Sequence, residues 1–338
     1  MDPEPKKNTP EKSPAQKGLS WQERVFDVVR KRGAIAVLIL VVVISSIRFD
    51  NFLTANNLEN VALQSAFEGL IVVGMTFVII GKGIDLSVGS QVALSGVVAA
   101  YASQVAWPLG VIAPVTVCGA IGLLQGLLIA KAKMAPFIVT LAGLLGIRGL
   151  ALVISSQKGV PQNIAIENGS PLLWLGQGQI FGVAVPVFLM LLAFAIGGLV
   201  LVRTGYGQAT FAVGDSEDSA RLMGVPVDRV KIIAYTTNGL LAGLSGVLLA
   251  AQLSSGQPTV GQGWELDVIS EVVVGGTLLT GGTGTMSGSL AGVFLLNILQ
   301  NLINQVGTLG SYGQQLVSGG FLIAVVVIQA YLTRKERL

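Results

Sequence analysis

Residues 61–80 read VALQSAFEGLIVVGMTFVII, an apolar run that contains one charged residue, Glu68. A bilayer core about 30 Å thick is crossed by roughly 20 residues of helix, so this run is long enough to span a membrane. The rest of the chain has the same character, because 52% of its 338 residues are hydrophobic and only 12% are charged. Soluble proteins carry about 25% charged residues. We therefore predict an all-α, polytopic integral membrane protein.

Apolar runs on both sides of residues 61–80 predict about ten transmembrane helices. The predicted spans are 33–47, 61–80, 88–106, 109–130, 137–155, 180–202, 232–253, 266–280, 286–306 and 314–332. They form one transmembrane domain, residues 33–332, because no segment between them is polar enough to surround a soluble domain. The 44 glycines suit apolar helices that approach one another closely.

The positions of the basic residues predict the orientation, because lysine and arginine favour the cytoplasmic side of short loops. With the Pro- and Lys-rich tail 1–32 inside and an even number of spans, the other basic groups also fall inside. These groups are Lys131, Lys133, the loop 203–230 and the tail 333–338. The connection 156–179 then lies outside, and its one basic residue is Lys158. Both termini are therefore predicted to be cytoplasmic, and residues 1–32, which lack an apolar segment, are predicted to be disordered.

Some kinds of chemistry are excluded by the residue types that the chain lacks. It has no histidine and one cysteine, Cys118, so an internal disulfide, a histidine-based triad and a histidine zinc site are not expected. Gly81–Lys82 lacks the preceding glycine and the following Ser or Thr of a phosphate-binding loop. No catalytic residue, metal site or cofactor is therefore predicted. The basic residues lie at the ends and in loops, which does not indicate nucleic-acid binding.

Charged residues within predicted spans are unusual, because an isolated charge is costly in hydrocarbon. They are Glu68, Arg148, Asp267 and Glu271. Asp267 is close to the end of its span and is expected at the outer interface. Glu68 and Arg148 lie deeper, and an ion pair between their helices would keep both charged. Two interpretations stay open for this pair: it stabilises the helix bundle, or it lines a transport path.

Residues 80–90, IGKGIDLSVGS, interrupt two apolar spans with glycines and polar residues. Irregular backbone at membrane depth is tolerated where it is packed in protein or faces a wet cavity. Gly83, Asp85 and Ser87 are therefore candidate residues of a path or gate. The alternative is an ordinary cytoplasmic turn in which Asp85 or Ser87 caps the next helix.

The loop 203–230 is the one extended hydrophilic stretch within the body of the chain. Ser216 is expected to cap a short helix, residues 216–223, that carries acidic residues in its first turn. Gly224, followed by Pro226, is expected to end this helix. The helix is either a solvated connector or an element that docks a partner.

Three sequence motifs together resemble one family, the membrane permeases of carbohydrate ABC importers of the ribose, xylose and galactoside type. The first is GMTFVII at 74–80 running into GIDLSVGS at 83–90. The second is AVG at 212–214 followed by ARLMGV at 220–225, which resembles the coupling region of the family. The third is QPT at 257–259, followed by ELD at 265–267 and glycine pairs at 275–276 and 281–282. Their order and spacing extend the resemblance from about residue 51 to the last predicted helix.

This resemblance implies a multi-pass permease subunit of an ATP-driven importer in the bacterial cytoplasmic (inner) membrane. The permease would translocate a monosaccharide that an extracytoplasmic sugar-binding protein delivers, and a separate ABC ATPase subunit would bind ATP and Mg²⁺. Its other partners would be membrane lipid and a second permease copy or a sister permease.

The resemblance places the coupling to the ATPase in the loop 203–230. The implied coupling residues are Glu217, Asp218, Ala220, Arg221, Leu222, Met223 and Gly224. Ala220, Leu222 and Met223 are expected to enter a groove of the ATPase, with the charged residues around them. The residues predicted to form the translocation path or gate are Gly83, Asp85, Ser87, Glu68 and Arg148.

The sequence departs from the usual family pattern at Lys82, Gln208, Asp215–Ser216 and Glu271. These changes leave the identity of the ATPase open, and they leave the solute open among pentoses, hexoses and small polyol-like molecules. The alternatives are an importer of an amino acid or a nucleoside, an ion-coupled transporter that uses Glu68, Asp85 or Arg148 as a relay, and an intramembrane enzyme.

Overall fold

The computed structural model describes the backbone of residues 21–306 and the side chains of residues 34–305. Beyond them it describes only positions 313, 316, 319, 320, 323 and 327. The helices of residues 21–306 are α1 (Trp21–Arg48), α2 (Ala55–Ile80), α3 (Val88–Val105), α4 (Leu109–Ala130), α5 (Pro136–Ser155), α6 (Leu172–Gln177), α7 (Val185–Arg203), α8 (Gly205–Asp215), α9 (Glu217–Leu222), α10 (Val227–Gln252), α11 (Trp264–Val274) and α12 (Met286–Val306). The strands are β1 (Ser156–Gln157), β2 (Val160–Pro161), β3 (Ile164–Ala165), β4 (Gln179–Ile180), β5 (Val183–Ala184) and β6 (Ser255–Gly256).

Within the described residues, six helices are long and apolar enough to cross a membrane: α2, α4, α5, α7, α10 and α12. They confirm a mostly helical membrane protein. The predicted span 33–47 corresponds to the apolar part of α1, Ala34–Arg48. The predicted span 88–106 corresponds to α3, a shorter helix that contains several polar residues. The span 314–332 lies outside the continuously described residues, so the count of ten stays a prediction.

Two predicted boundaries differ from the structure. The span 266–280 is not one helix, because α11 ends at Val274 and Gly276 then adopts a left-handed φ of 93°. Residues 21–32, predicted to be part of a disordered tail, are the first part of α1. This stretch contains apolar residues between its charges, and α1 continues from it through Gly33 into its apolar part. Residues 1–20 and 333–338 lie outside the described residues.

The core of the bundle is α2. Every residue from Ser65 to Ile80 is buried, because α7, α10, α11 and α12 all pack against this helix. In contrast, α5 exposes large apolar side chains along its length, among them Phe137, Leu145 and Val153. Such a face suits contact with lipid or with another membrane chain. The chain therefore encloses its central helix in protein and places other helices at the periphery.

Glycines bring α10 into backbone contact with its neighbours. A Cβ at Gly122 of α4 would overlap the carbonyl oxygen of Tyr235 of α10, and a Cβ at Gly239 of α10 would overlap the carbonyl oxygen of Cys118 of α4. Gly74 of α2 would likewise meet the Cα of Asn238 at 2.7 Å. Small residues at such contacts let membrane helices pack by van der Waals attraction without a hydrophobic driving force. Several of the glycines in the sequence therefore lie at contacts between helices.

The connection between α5 and α7 is folded against one end of the bundle. It contains two short antiparallel pairs, β1–β2 and β4–β5, and β3 pairs with β6 from the segment after α10. Leu172 of α6 is fully buried, and Gly176 packs against the backbone of Gln252 at the end of α10. We call the end of the bundle that carries α9 the α9 end. The connection between α5 and α7 lies at the opposite end.

We expect Gly122→Ala to destabilise the protein, because the added methyl group would have to displace the backbone of α10. Overpacking of this kind costs about 1–3 kcal/mol. The matched control is Gly146→Ala on α5, where a Cβ would meet no atom within 4 Å. Because alanine favours helix, the control is expected to unfold at the parental temperature or slightly above it. The unfolding temperature of each variant is measured on the purified chain in detergent. Equal midpoints for Gly122→Ala and Gly146→Ala would contradict the packing argument.

Candidate functional site

Residues 83–87 form an irregular stretch between α2 and α3 in which Gly83, Asp85 and Ser87 are buried. Lys82, at a φ of 63°, turns the chain back after α2. The hydroxyl of Tyr235 then donates to the carbonyl oxygen of Ile84 over 3.1 Å. Tyr235 is about 12 Å along α10 from its first residue, Val227. Ile84 therefore lies against the side of α10 and not beyond its first residue.

Asp85 is fully buried and is the centre of a hydrogen-bond network. Its Oδ1 accepts from the backbone N of Ser87 at 2.9 Å and from Ser87 Oγ at 2.6 Å, and its Oδ2 accepts from Asn238 Nδ2 at 2.9 Å. Ser87 Oγ in turn accepts from Gln91 Nε2 and Gln125 Nε2, each at 2.9 Å. Asp85 thus bonds to the start of α3, as the capping interpretation expects. The bonds to α4 and α10 go beyond what a turn requires.

A small cavity lies beside Gly83 on the side that faces the α9 end. Gly83 lines a cavity of about 10 Å³ together with Lys82, Lys231 and Tyr235. A single water molecule needs about 10–15 Å³, so nothing larger fits. A Cβ at Gly83 would lie 2.5 Å from the hydroxyl oxygen of Tyr235, so glycine at this position lets Tyr235 reach Ile84. Gly83, Asp85 and Ser87 are all buried, and we call them the joint.

A second irregular segment, between α10 and α11, meets the first from the opposite side. A Cβ at Gly89 of α3 would overlap the carbonyl oxygen of Gly261 in this segment. The guanidinium Nη1 of Arg148 on α5 donates to the carbonyl oxygens of Pro258 at 2.9 Å and Val260 at 2.7 Å. Arg148 therefore holds the second segment in place over the start of α3.

The predicted ion pair between Glu68 and Arg148 is wrong in this structure. Glu68 lies in the middle of α2, where Asn297 of α12 donates to its Oε2 at 3.3 Å, and the same amide donates to Glu271 of α11 at 2.9 Å. Arg148 instead satisfies its charge with backbone carbonyl groups and the nearby Glu265. The reason is the packing order: α5 lies against α3 and α4, so it does not bring Arg148 to the buried centre of α2.

The hydrophilic loop folds into two helices, α8 and α9. The predicted short helix is confirmed, because Ser216 Oγ accepts from the backbone N of Ser219 at 3.2 Å and Gly224 follows α9 with a φ of 80°. The preceding helix α8, Gly205–Asp215, was not predicted. Its N-cap is Thr204, whose Oγ1 accepts from the backbone N of Gly207 at 3.2 Å.

Ala220 is fully buried, so it cannot enter a groove of another chain as predicted. It packs with Val213, Val227 and Val230 in a small core under α9. Apolar residues at helical spacing can face inward as readily as outward, and the sequence pattern did not decide between the two. Leu222 and Met223, in contrast, are 90% and 70% exposed. They are the apolar residues that α9 offers to a partner.

The charged residues around α9 make bonds within the chain. Lys231 Nζ lies 2.7 Å from Glu217 Oε1, and Arg221 Nη2 lies 3.2 Å from Asp228 Oδ1. Lys131, at the end of α4, also lies 3.2 Å from Asp228. These ion pairs connect α9 to α10 and the end of α4 to α10, although exposed pairs stabilise a fold only slightly. Glu217 and Arg221 therefore orient α9, and Asp218 is exposed.

Sequence reasoning missed the neutral polar residues that complete the network. Gln125, Tyr235 and Asn238 were not singled out, and Asn297 was also passed over. A signal was present, because an amide side chain within an apolar membrane helix needs a hydrogen-bond partner on another helix. The identity of that partner depends on helix packing, which the sequence pattern does not contain.

Comparison with known proteins places the chain among transport permeases. The family described as "Branched-chain amino acid transport system / permease component" matches residues 57–326. The ribose import permease of Escherichia coli (strain K12) is 39% identical over 313 residues, covering 92% of this chain and 95% of the relative. The ribose import permease of Bacillus subtilis (strain 168) is 41% identical over 319 residues, covering 93% and 97%. The L-arabinose permease of Azospirillum brasilense is 33% identical over 336 residues, covering 99% and 97%.

No solved structure matches the chain. The resemblance that the three motifs predicted is confirmed by these relatives, which extend over nearly the whole sequence. The chain therefore belongs to this family of transport-system permease components, together with the ribose and L-arabinose import permeases of these bacteria.

Proposed function

We propose that this chain is the membrane permease of an importer for a monosaccharide, with a pentose as the first candidate. The observation that carries the proposal is the 39–41% identity to ribose import permeases over more than nine-tenths of the chain. The description of the family names branched-chain amino acids, whereas these relatives are named for ribose and L-arabinose. The identity to permeases named for ribose and L-arabinose favours a sugar as the solute.

The proposed partners are a separate ATPase that binds ATP and Mg²⁺, an extracytoplasmic sugar-binding protein, and a second permease copy or a sister permease. The chain itself contains no phosphate-binding loop in its sequence. We place the α9 end and both termini in the cytoplasm of a bacterial inner membrane. The support is the cluster of basic residues at this end, which includes Lys82, Lys131, Arg203 and Lys231.

The geometry supports alternating access driven from α9. A Cβ at Gly214, the penultimate residue of α8, would overlap both the carbonyl oxygen of Ile80 and the backbone N of Gly282. The backbone N of Gly282 also donates to the carbonyl oxygen of Ile80 at 2.9 Å. Closure of the ATPase would move α9 and α8, and this backbone contact would pass the movement to the end of α2. The joint at Asp85 and the segment held by Arg148 are the proposed gate.

The first test is solute uptake by the complete importer in proteoliposomes. We expect ATP-dependent accumulation of a labelled pentose, and no accumulation of labelled leucine. The ligand that co-purifies with the binding protein, identified by mass spectrometry, gives an independent result. ATP-dependent uptake of leucine in place of the sugar would assign the chain to amino acid transport.

Leu222 and Met223 are expected to be the main contacts with the ATPase. The double variant Leu222→Ser/Met223→Ser should weaken co-purification of the ATPase about tenfold, which corresponds to about 1.4 kcal/mol. The amount of permease in the membrane should be unchanged, because both side chains are exposed. The control is Phe181→Ser, a fully exposed aromatic residue between β4 and β5 at the opposite end of the bundle.

A cysteine at position 222 in a Cys118→Ser background tests the side of the membrane. A membrane-impermeant thiol reagent should label it only from the cytoplasm. Labelling from outside the cell, or full ATPase binding by the double serine variant, would rule out α9 as the docking element.

Asp85→Asn is expected to impair uptake and to leave membrane insertion intact. An amide has one acceptor oxygen where the carboxylate has two, so one buried donor of Ser87 or Asn238 would face another donor. Leaving a buried donor unpaired costs about 1–3 kcal/mol. Asp50→Asn, at an exposed position between α1 and α2, is the matched control. Parental uptake by the Asp85→Asn importer would mean that the joint has no role in the path or gate.

A further inference from the structure

A pair of acidic residues, Glu68 and Glu271, is buried in the middle of the bundle and is not explained by the proposed gate. Glu68 is 5% exposed and Glu271 is fully buried. Glu68 lies about 18 Å along α2 from Ile80 and about 20 Å from Ala55, so it is near the centre of that helix. An acidic group at this depth needs a partner or a function.

Among the residues whose side chains the structure describes, no lysine or arginine acts on either acid. The sequences of α2, α11 and α12 contain no lysine or arginine. The neighbouring helices α7 and α10 carry their charged residues at the α9 end, and α3 has none. The other charged group that acts on the pair is Asp267, one turn before Glu271 on the same helix. The pair therefore sits among further negative charge and neutral side chains.

The hydrogen bonds show that a donor is needed between the two acids. Asn297 Nδ2 donates to Glu271 Oε1 at 2.9 Å and to Glu68 Oε2 at 3.3 Å. Glu271 Oε2 is buried and has no hydrogen-bond donor among the described residues. The two carboxyl groups are thus held on either side of one amide nitrogen. Ionised carboxylates only accept hydrogen bonds, so a proton on one of the two acids would supply the donor that the buried Glu271 Oε2 lacks.

The two acids lie where α2 packs against α11 and α12. We call residues 264–306, which contain α11 and α12, the α11–α12 hairpin. Its two helices touch through backbone: a Cβ at Gly292 would overlap the carbonyl oxygen of Glu271, and one at Gly288 would overlap that of Gly275. The two helices of the hairpin are therefore in direct backbone contact. Toward α2 it presents the carboxyl contact, and nearer the α9 end Thr76 Oγ1 donates to Ser289 Oγ at 2.9 Å.

We propose that Glu68 and Glu271 bind one proton between them, and that loss of this proton tilts the α11–α12 hairpin away from α2 and slows transport. With the proton, the contact is a hydrogen bond. Without it, two negative charges face each other in a buried site and repel. The neutral bond between Thr76 and Ser289 is unaffected by the proton, so the hairpin would pivot there.

In this proposal the protonated pair holds the α11–α12 hairpin against α2, so the stability of the fold depends on pH. The stabilisation is present at acidic pH and is lost as the pH rises. Glu271→Gln supplies a permanent amide donor to Glu68 and removes one of the two charges. This variant is therefore expected to keep the hairpin against α2 at every pH.

The test compares the parental permease, Glu271→Gln and the matched control Glu59→Gln, which removes an exposed acid from the same helix α2. Thermal unfolding of the purified chain is measured from mildly acidic to mildly alkaline pH. The parental chain and the Glu59→Gln control should lose stability at the alkaline end, and Glu271→Gln should lose clearly less. If Glu271→Gln does not fold, Glu68→Gln makes the same change from the other helix and has the same expected result.

Infrared spectroscopy gives a direct readout of the proton. The carbonyl stretch of a protonated carboxyl group should be present in the parental chain at acidic pH, disappear on alkalinisation, and be absent in Glu271→Ala. Uptake by the complete importer should fall several-fold over the same pH range in the parental form and remain level in Glu271→Gln.

Equal pH dependence of unfolding in the parental chain and in both glutamine variants would overturn the proposal. The unfolding and infrared measurements need no sugar, ATPase or binding protein. They therefore succeed or fail independently of the proposed sugar import, on which only the uptake measurement rests.

Discussion

Backbone contact between α10 and its neighbours is the constraint on which the rest of the bundle depends. Glycines on both sides of these contacts, such as Gly122, Gly239 and Gly246, leave no room for a β-carbon. Because α10 lies so close, the side chains of Tyr235 and Asn238 reach the stretch 83–87 and form its hydrogen bonds. A wider spacing of the helices would leave Asp85 Oδ2 buried without its donor, Asn238, which is a costly state for a carboxylate oxygen. Glycine packing therefore makes the polar joint possible.

The sequence predicted what depends on local pattern. Apolar length located the long helices, and the glycine and polar residues of 80–90 indicated a break at membrane depth. Ser216 and Gly224 predicted α9 through its caps, which are local interactions. What could not be predicted was which distant groups meet. Arg148 was paired with Glu68 by charge alone, whereas the folded chain gives it backbone carbonyl groups of a segment more than a hundred residues away.

Burial of small residues was a second limit of sequence reasoning. Ala220 lies in a hydrophilic loop, and its sequence neighbours Leu222 and Met223 are exposed. Only the presence of α8 explains why Ala220 faces inward, because Val213 at the end of that helix forms one wall of its pocket. The helix α8 is short and contains several glycine and polar residues, so hydropathy gave no signal for it. The misplacement of Ala220 thus follows from the missed helix.

The two irregular segments have a property that suits a gate. Regular helices satisfy their own backbone groups, whereas irregular backbone needs partners from elsewhere. Residues 83–87 find theirs in α10, and the segment after α10 finds part of its own in Arg148. A solute rich in hydroxyl groups can replace such partners as it passes, because hydroxyls both donate and accept hydrogen bonds. The same exchange is not available to an apolar solute, so the gate that we propose at these two segments suits a solute such as a sugar.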